Sequence, residues 1–339
     1  MPWLQCLFQS IESGHGASDG CEALDAPPYD PRLPTCRQVE LDPAQELFLA
    51  VWGDCLAVHG LDGQPAEPIC PEEGLRAAWF TPDGDHLLLG TRDDRALLVD
   101  RRDGAVLCRS HGLGDYLDVA CWLPDGRQFV GVTRSNRVAV QDARSLETRR
   151  CLLQRDPDET YEPLVGLVLS PDGARAYLAA GCRVRCLDTA DGRPIWSAKL
   201  DHPLESIAIA AQGSRLALSS RQGVTLLDAA TGIEVATSAF RFRGIHLPGA
   251  RIPLAFSPRL AFSPDGQLLA ASTPNGQLLL LDPANLELLR EYPRMESLAW
   301  IEDMIWFADS QRLLVGCAHN RVAIWSVPDD RPLLVTQLT

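Results

Sequence analysis

At 339 residues, with 46% apolar and 22% charged, the chain has enough apolar side chains for a sizeable core and lacks the composition of a disordered polypeptide. A balance of 31 basic against 45 acidic residues, net −14, repels phosphate backbones and anionic lipid over most of the surface, which argues against nucleic acid and membrane partners. Length leaves the number of domains open, because a symmetric all-β repeat absorbs it in one unit.

Residues 1–37 form an irregular extension in this reading. The start, Met1 to Phe8, has no basic segment before its short apolar patch and turns acidic after it, so it is not an export signal. A Gly/Ser-rich stretch at 13–20 and Pro27, Pro28, Pro31 and Pro34 follow, while Trp3 to Phe8 has the composition to add a strand or cover an edge. No stretch approaches the length of a membrane-spanning helix.

From residue 38 to residue 339 one unit recurs. A short apolar strand runs into a Pro-Asp-Gly turn at Trp79–Gly84, Cys121–Gly126, Val168–Gly173 and Leu260–Gly266. Proline presets the turn, Asp bonds its own backbone and Gly takes the positive φ, so the chain reverses and a second apolar run follows. A third run ends in aspartate at Asp100, Asp142, Asp188, Asp228 and Asp282, and in three copies Gly104, Gly192 or Gly232 stands four residues later, ahead of a fourth strand. Degenerate copies flank these five, one from Val39 to Gly63 and one from Ile305 to Ser326. Corresponding turns near residues 44, 83, 125, 172, 212, 265 and 310 are spaced by roughly 40–50 residues, against about 40–45 for a four-stranded propeller blade. A lone four-stranded sheet cannot bury both apolar faces, whereas radial stacking lets each blade cover its neighbour. The expected fold is therefore all-β, a seven-bladed β-propeller of four-stranded antiparallel blades. Its last blade supplies its own fourth strand, Pro332 to Leu338.

The Ser-Pro-Asp-Gly turns, the third-strand aspartates and Val322-Ala323-Ile324-Trp325-Ser326 resemble the WD40 and YVTN-type propellers over residues 38–339. No copy begins with Gly-His and only the last has Trp at the strand end, so stability is expected from apolar packing more than from a side-chain network. The resemblance implies an architecture and leaves function to the site.

No Gly-rich phosphate loop, nucleophile elbow or His-Glu-x-x-His occurs. Cys182 and Cys186 lack a second pair at zinc spacing, so neither a metal nor another cofactor is expected. The eleven cysteines are odd in number and scattered. Cys108, Cys121, Cys186 and Cys317 lie in apolar runs as core thiols, which points to a reducing cytoplasm. Lys199 is the only lysine, and the Ala, Arg, Leu, Asp and Gly richness is that of a GC-rich bacterial genome.

The residues that propeller topology gathers on one face are the second-to-third strand loops and the links between blades. His111, His202, His246 and His319 fall there, as do Arg92, Arg134 and Arg221. The longest insertion carries Phe240, Arg241, Phe242, Arg243 and His246 and ends near Arg251. Arg and aromatic residues are enriched at binding hot spots, which makes this insertion the leading contact element. A second insertion at 155–162 is acidic, and a third at 294–303 includes Trp300. The expectation is a cytoplasmic, bacterial interaction scaffold that is not an enzyme. It binds another protein on the insertion-bearing face, a basic partner suiting an acidic binder, and it takes no small-molecule substrate. Such a scaffold could serve as a regulator or as a toxin-neutralising protein. The rival is a lactonase- or lyase-like enzyme with its active site at the mouth of the central channel, built on those histidines.

Overall fold

The computed structural model describes residues 35–62, 64, 68–71, 74–111, 116–133, 135–154, 162–238, 258–273, 277–292, 301–318 and 320–338. They form seven antiparallel sheets whose strands are paired in chain order, with no helix among them. Blade 1 spans Cys36–Gly60, blade 2 Leu75–Arg109, blade 3 Leu117–Leu153, blade 4 Leu164–Lys199, blade 5 Leu204–Thr237, blade 6 Leu260–Tyr292 and blade 7 Ile301–Gln337. The first strands, from Cys36–Leu41 round to Ile301–Trp306, neighbour one another in turn, and the first packs on the last, so the sheets close around a central axis.

Second strands are the most buried. Leu87, Leu88 and Leu89 are fully enclosed because adjacent blades cover both faces, and each such side chain contributes about 1.5–3 kcal/mol of burial. Outer strands bury little and leave Leu107, Ile195, Val235 and Leu289 exposed.

The turns follow the repeat. Thr81, Ser170 and Ser263 hydroxyls donate to Asp83, Asp172 and Asp265 at 2.5–2.6 Å, closing the turns between first and second strands. The third-strand aspartates accept backbone N–H groups of the next turn, as Asp188 does from Ala190 at 2.8 Å. Four residues on, Gly104, Gly192 and Gly232 have φ near +70 to +77°, and the same place in blades 3 and 6 is filled by Leu146 and Leu286 at φ +56 and +63°. Both leucines are 2% exposed, so burial offsets the left-handed backbone that glycine adopts freely. In the two degenerate copies Gln45 and Ser310, at φ +58 and +56°, take the place that glycine holds in the Pro-Asp-Gly turns.

Blade 7 supplies its own fourth strand, Arg331–Gln337, as the sequence indicates. The ring therefore closes between blades 1 and 7 by packing. Val39 N donates to Asp303 Oδ2 at 3.0 Å and Ala308 N to Gln45 Oε1 at 2.7 Å across this seam. Blade 1 differs at its rim. Among the described residues it has three strands, and in place of a fourth a single bridge joins Leu56 to Ile69 through a reciprocal pair of backbone hydrogen bonds. The Cys55–Cys70 disulfide holds that bridge, a pairing the scattered cysteines did not suggest. Seven other described cysteines are free. Of the four expected in the core, Cys186 and Cys317 are buried while Cys108 and Cys121 are half-buried.

Candidate functional site

In six of the seven blades the pairing of first and second strands slips at the second residue of the first strand. The extra residues are Arg37, Arg76, Asp118, Val165, Glu205 and Glu302. A bulge re-aims the side chain it carries, and here it lies at the mouth where the first strands begin, on the face of the second-to-third strand loops. Neighbouring blades are tied at this level. Arg37 Nη2 donates to Leu75 O at 2.7 Å, Arg76 Nε to Asp118 Oδ1 at 2.7 Å and Arg259 Nε to Glu302 O at 2.6 Å. Arg92 reaches from its loop to Asp54 at 2.8 Å. Arg37 Nε is buried with no acceptor. Burial lowers the Arg37 pKa, and the positive charges of Arg76 and Arg92 lower it further against the opposing pull of Asp54.

Below this mouth the axis is acidic. Burial pushes the Glu40 carboxyl well above the ordinary range and the charge of Asp303 adds to it, while Glu40 Oε2 has no hydrogen-bond partner. Burial also raises Asp303, against Arg259 and the N–H groups of Val39 and Met304 that it accepts at 3.0 Å. Cys121 is pushed to about 12 by burial and then by Glu40. Val39, next to Glu40, donates to Asp303, so the Glu40 strand and Asp303 lie side by side where blades 1 and 7 meet. Cys317 is likewise pushed to about 12 by burial, so these thiols stay protonated near neutral pH and supply no thiolate nucleophile. Among the described residues no three His, Cys, Asp or Glu gather as metal ligands.

Of the residues singled out from sequence, Arg92 and Arg221 occupy equivalent loops of blades 2 and 5, directly after Thr91 and Ser220. Each is held by a carboxylate, Arg221 by Glu205 at 3.0 Å. Arg134, Phe240, Arg241, Phe242, Arg243, His246, Arg251 and Trp300 lie outside the described residues, as do His319 and most of the acidic insertion. His111 follows blade 2 and His202 follows blade 4, so these two stand at different junctions. His202 lines a cavity of about 630 Å³ between blades 4 and 5 with Lys199, Gln222, Glu234 and Ser238, the last described residue before the long insertion. Sequence reasoning missed Arg37, Arg76, Glu40 and Asp303. Aligning the seven first strands would have shown a charged residue recurring at their second place.

A family model described as outer membrane protein assembly factor BamB matches residues 92–297, more than half of the chain. The chain belongs to this family. The matched model is of a propeller repeat and is not explicitly WD40, while the solved structures with which the chain shares its fold are WD40 propellers. The β-propeller domain of Cps50 (Swd1) from Myceliophteria thermophila is 16% identical, covers 87% of this chain and 97% of its own, and superposes with a TM-score of 0.66. A chain of the mitotic checkpoint complex is 15% identical, covers 92% and 99%, and gives 0.71. At these identities the likeness is one of fold. No curated protein sequence matches.

Proposed function

We propose that this BamB-family propeller is an interaction scaffold that holds a protein partner on the face of the second-to-third strand loops. The observation that carries the reading is the set of half-exposed arginines on that face, each fixed by a carboxylate: Arg92 by Asp54, Arg76 by Asp118 and Arg221 by Glu205. Rigid, ion-paired guanidinium groups present donors at little ordering cost, as a docking surface requires. The family description, an assembly factor, is in keeping with a binding role, and one structural neighbour comes from a multiprotein complex. The net charge of −14 favours long-range steering of a partner with excess basic charge. The cytoplasmic setting expected from scattered cysteines meets one opposing argument, the Cys55–Cys70 disulfide, because such bonds persist mainly in oxidising compartments. Alkylation of thiols in intact cells, followed by mass analysis of that pair, assigns the compartment.

The experiment for the scaffold is site-specific photocrosslinking in the native cell. A photoreactive residue at Asp94 or Gln222, in loops of the proposed face, is expected to capture one identified protein, and the same residue at Asp125 or Asp172, on the opposite turns, is not. Capture from the opposite turns alone would place the surface wrongly. Turnover of lactone or ester substrates that disappears in His202→Ala would instead establish the enzyme.

A further inference from the structure

Among the described residues, the mouth between blades 1 and 2 gathers three arginines against two paired aspartates. Arg37 comes from the bulge of the first strand of blade 1, Arg76 from the same place in blade 2, and Arg92 from the loop after the second strand of blade 2. Arg37 Nη2 donates to Leu75 O at 2.7 Å, Arg76 is the next residue and Arg92 N donates to Gly74 O at 3.0 Å, so the three arginines meet at one point of the chain, where Arg76 and Arg92 lower the Arg37 pKa after burial does. Asp118 pairs with Arg76 and Asp54 with Arg92, whereas the hydrogen bond described for Arg37 goes to a neutral acceptor, the Leu75 carbonyl. Among the described residues these pairs leave the Arg37 charge without a carboxylate hydrogen bond, in a chain whose total is −14.

We propose that this mouth is a carboxylate-binding site, built from Arg37, Arg76 and Arg92, that receives an acidic segment of the partner protein. The proposal rests on the scaffold reading and specifies the chemistry of its contact. Three features of the geometry support it. Arg37 keeps donors that its carbonyl partner does not use, and its buried Nε has no acceptor among the described residues, so none of them supplies the anion that would complete the arrangement. Arg76 and Arg92 side chains are 37% and 52% exposed, so their outer N–H groups reach solvent while the inner ones hold the aspartates. A guanidinium presents a planar fork of donors that matches a carboxylate in two parallel hydrogen bonds, and bulged positions in adjacent blades set two such forks side by side. Net charge and local charge then act at different ranges. The −14 of the whole molecule is screened within about a Debye length, roughly 8–10 Å, while the mouth reads what touches it. A partner basic overall still seats an acidic segment here.

The test uses the full chain and two fluorescein-labelled probes, a hexaglutamate and a hexalysine peptide, with fluorescence anisotropy starting at about 0.15 M ionic strength, where the Debye length is roughly 8 Å. Hexaglutamate is expected to bind. Its affinity should fall about tenfold in Arg37→Gln and in Arg92→Gln, stay within twofold in Arg221→Gln on the same face, and decline as salt is raised. Arg92→Gln alters only an exposed pair, so it keeps the test decisive if Arg37→Gln fails to fold. No hexaglutamate binding, or an equal loss in Arg221→Gln, overturns the site. So does binding of hexalysine in preference. Inorganic phosphate that displaces the peptide at equal molar concentration would make this a small-anion site and overturn the assignment to a polypeptide segment. The peptide assay needs no partner, so failure of the photocrosslinking leaves it intact. A captured partner that binds the Arg37→Gln and Arg92→Gln proteins unchanged sinks this inference alone.

Discussion

On the face of the Pro-Asp-Gly turns, hydroxyl and carboxylate groups two residues apart close each reversal: Thr81 on Asp83, Ser170 on Asp172 and Ser263 on Asp265. On the opposite face the loops are held by charges from different strands, Arg92 by Asp54, Arg221 by Glu205 and Arg76 by Asp118. The first arrangement is local and repeats from blade to blade because it builds the turn itself. The second varies in sign and partner, because nothing in strand reversal requires it. A propeller thus spends its repeated residues on one face and leaves the other free to differ. Two solved propellers at 15–16% identity share this architecture.

The contrast can be broken most forcefully at Gly192. This turn residue has φ +77°, and a Cβ there would lie 2.6 Å from Leu152 O and 2.7 Å from Leu152 Cα in the preceding blade. Gly192→Ala should cost about 4 kcal/mol, read from the denaturant midpoint, because backbone strain and a backbone clash add. A cost near zero would mean that the turn face tolerates change as loosely as the mouth. Next in size is the rim of blade 1, where a disulfide across a separation of 15 residues does the work of a paired strand. Replacing Cys55 and Cys70 together with serine should cost about 3 kcal/mol by freeing the unfolded chain. Thermal melts with and without reductant provide the check.

Asp142 sharpens the comparison through pH. Its carboxylate accepts Ser145 N at 2.9 Å, Arg144 N at 3.0 Å and the Arg149 guanidinium at 2.8 Å, and these bonds, Ser145 first, hold it well below the usual carboxylate range. A carboxyl group depressed on folding adds stability above its unfolded pKa, and that stability is lost as pH falls through the unfolded value toward the folded one. Asp142→Asn should therefore lower stability by about 1–2 kcal/mol at pH 7, with the gap shrinking below about pH 4 in urea titrations. The smallest effect is expected at Arg221, whose side chain is 59% exposed beside Glu205. Arg221→Ala should change stability by less than about 1 kcal/mol. A larger loss in the melting curve would show that the mouth contributes to the fold.

Legibility in the sequence divides along the same line. Turn chemistry acts over two to five residues, so Thr81, Asp83 and Gly84 announce their reversal unaided. Harder to read were Gln45 and Ser310 in the degenerate copies and Leu146 and Leu286 in two clear ones, because they adopt left-handed backbone that their residue types do not advertise. For the two leucines burial compensates, and no local pattern reports it. Arg92 and Arg221 were visible as loop residues, but their carboxylates were not. Arg37 lay at the end of a segment that reads as irregular, one residue short of the first repeat, and the structure places it inside the strand Cys36–Leu41.

By itself the sequence determined the number of blades, their antiparallel hairpins, the turn face and the self-sufficient last blade, because each follows from apolar period and turn residues within one repeat. Tertiary structure alone decided which residues meet across blades: Arg37 with Arg76 and Arg92, Glu40 with Asp303, Cys55 with Cys70, and Val39 with Asp303 across a separation of 264 positions at the closing seam. Ring closure sets those distances, and a chain carries no local signal of where its ends will be brought together.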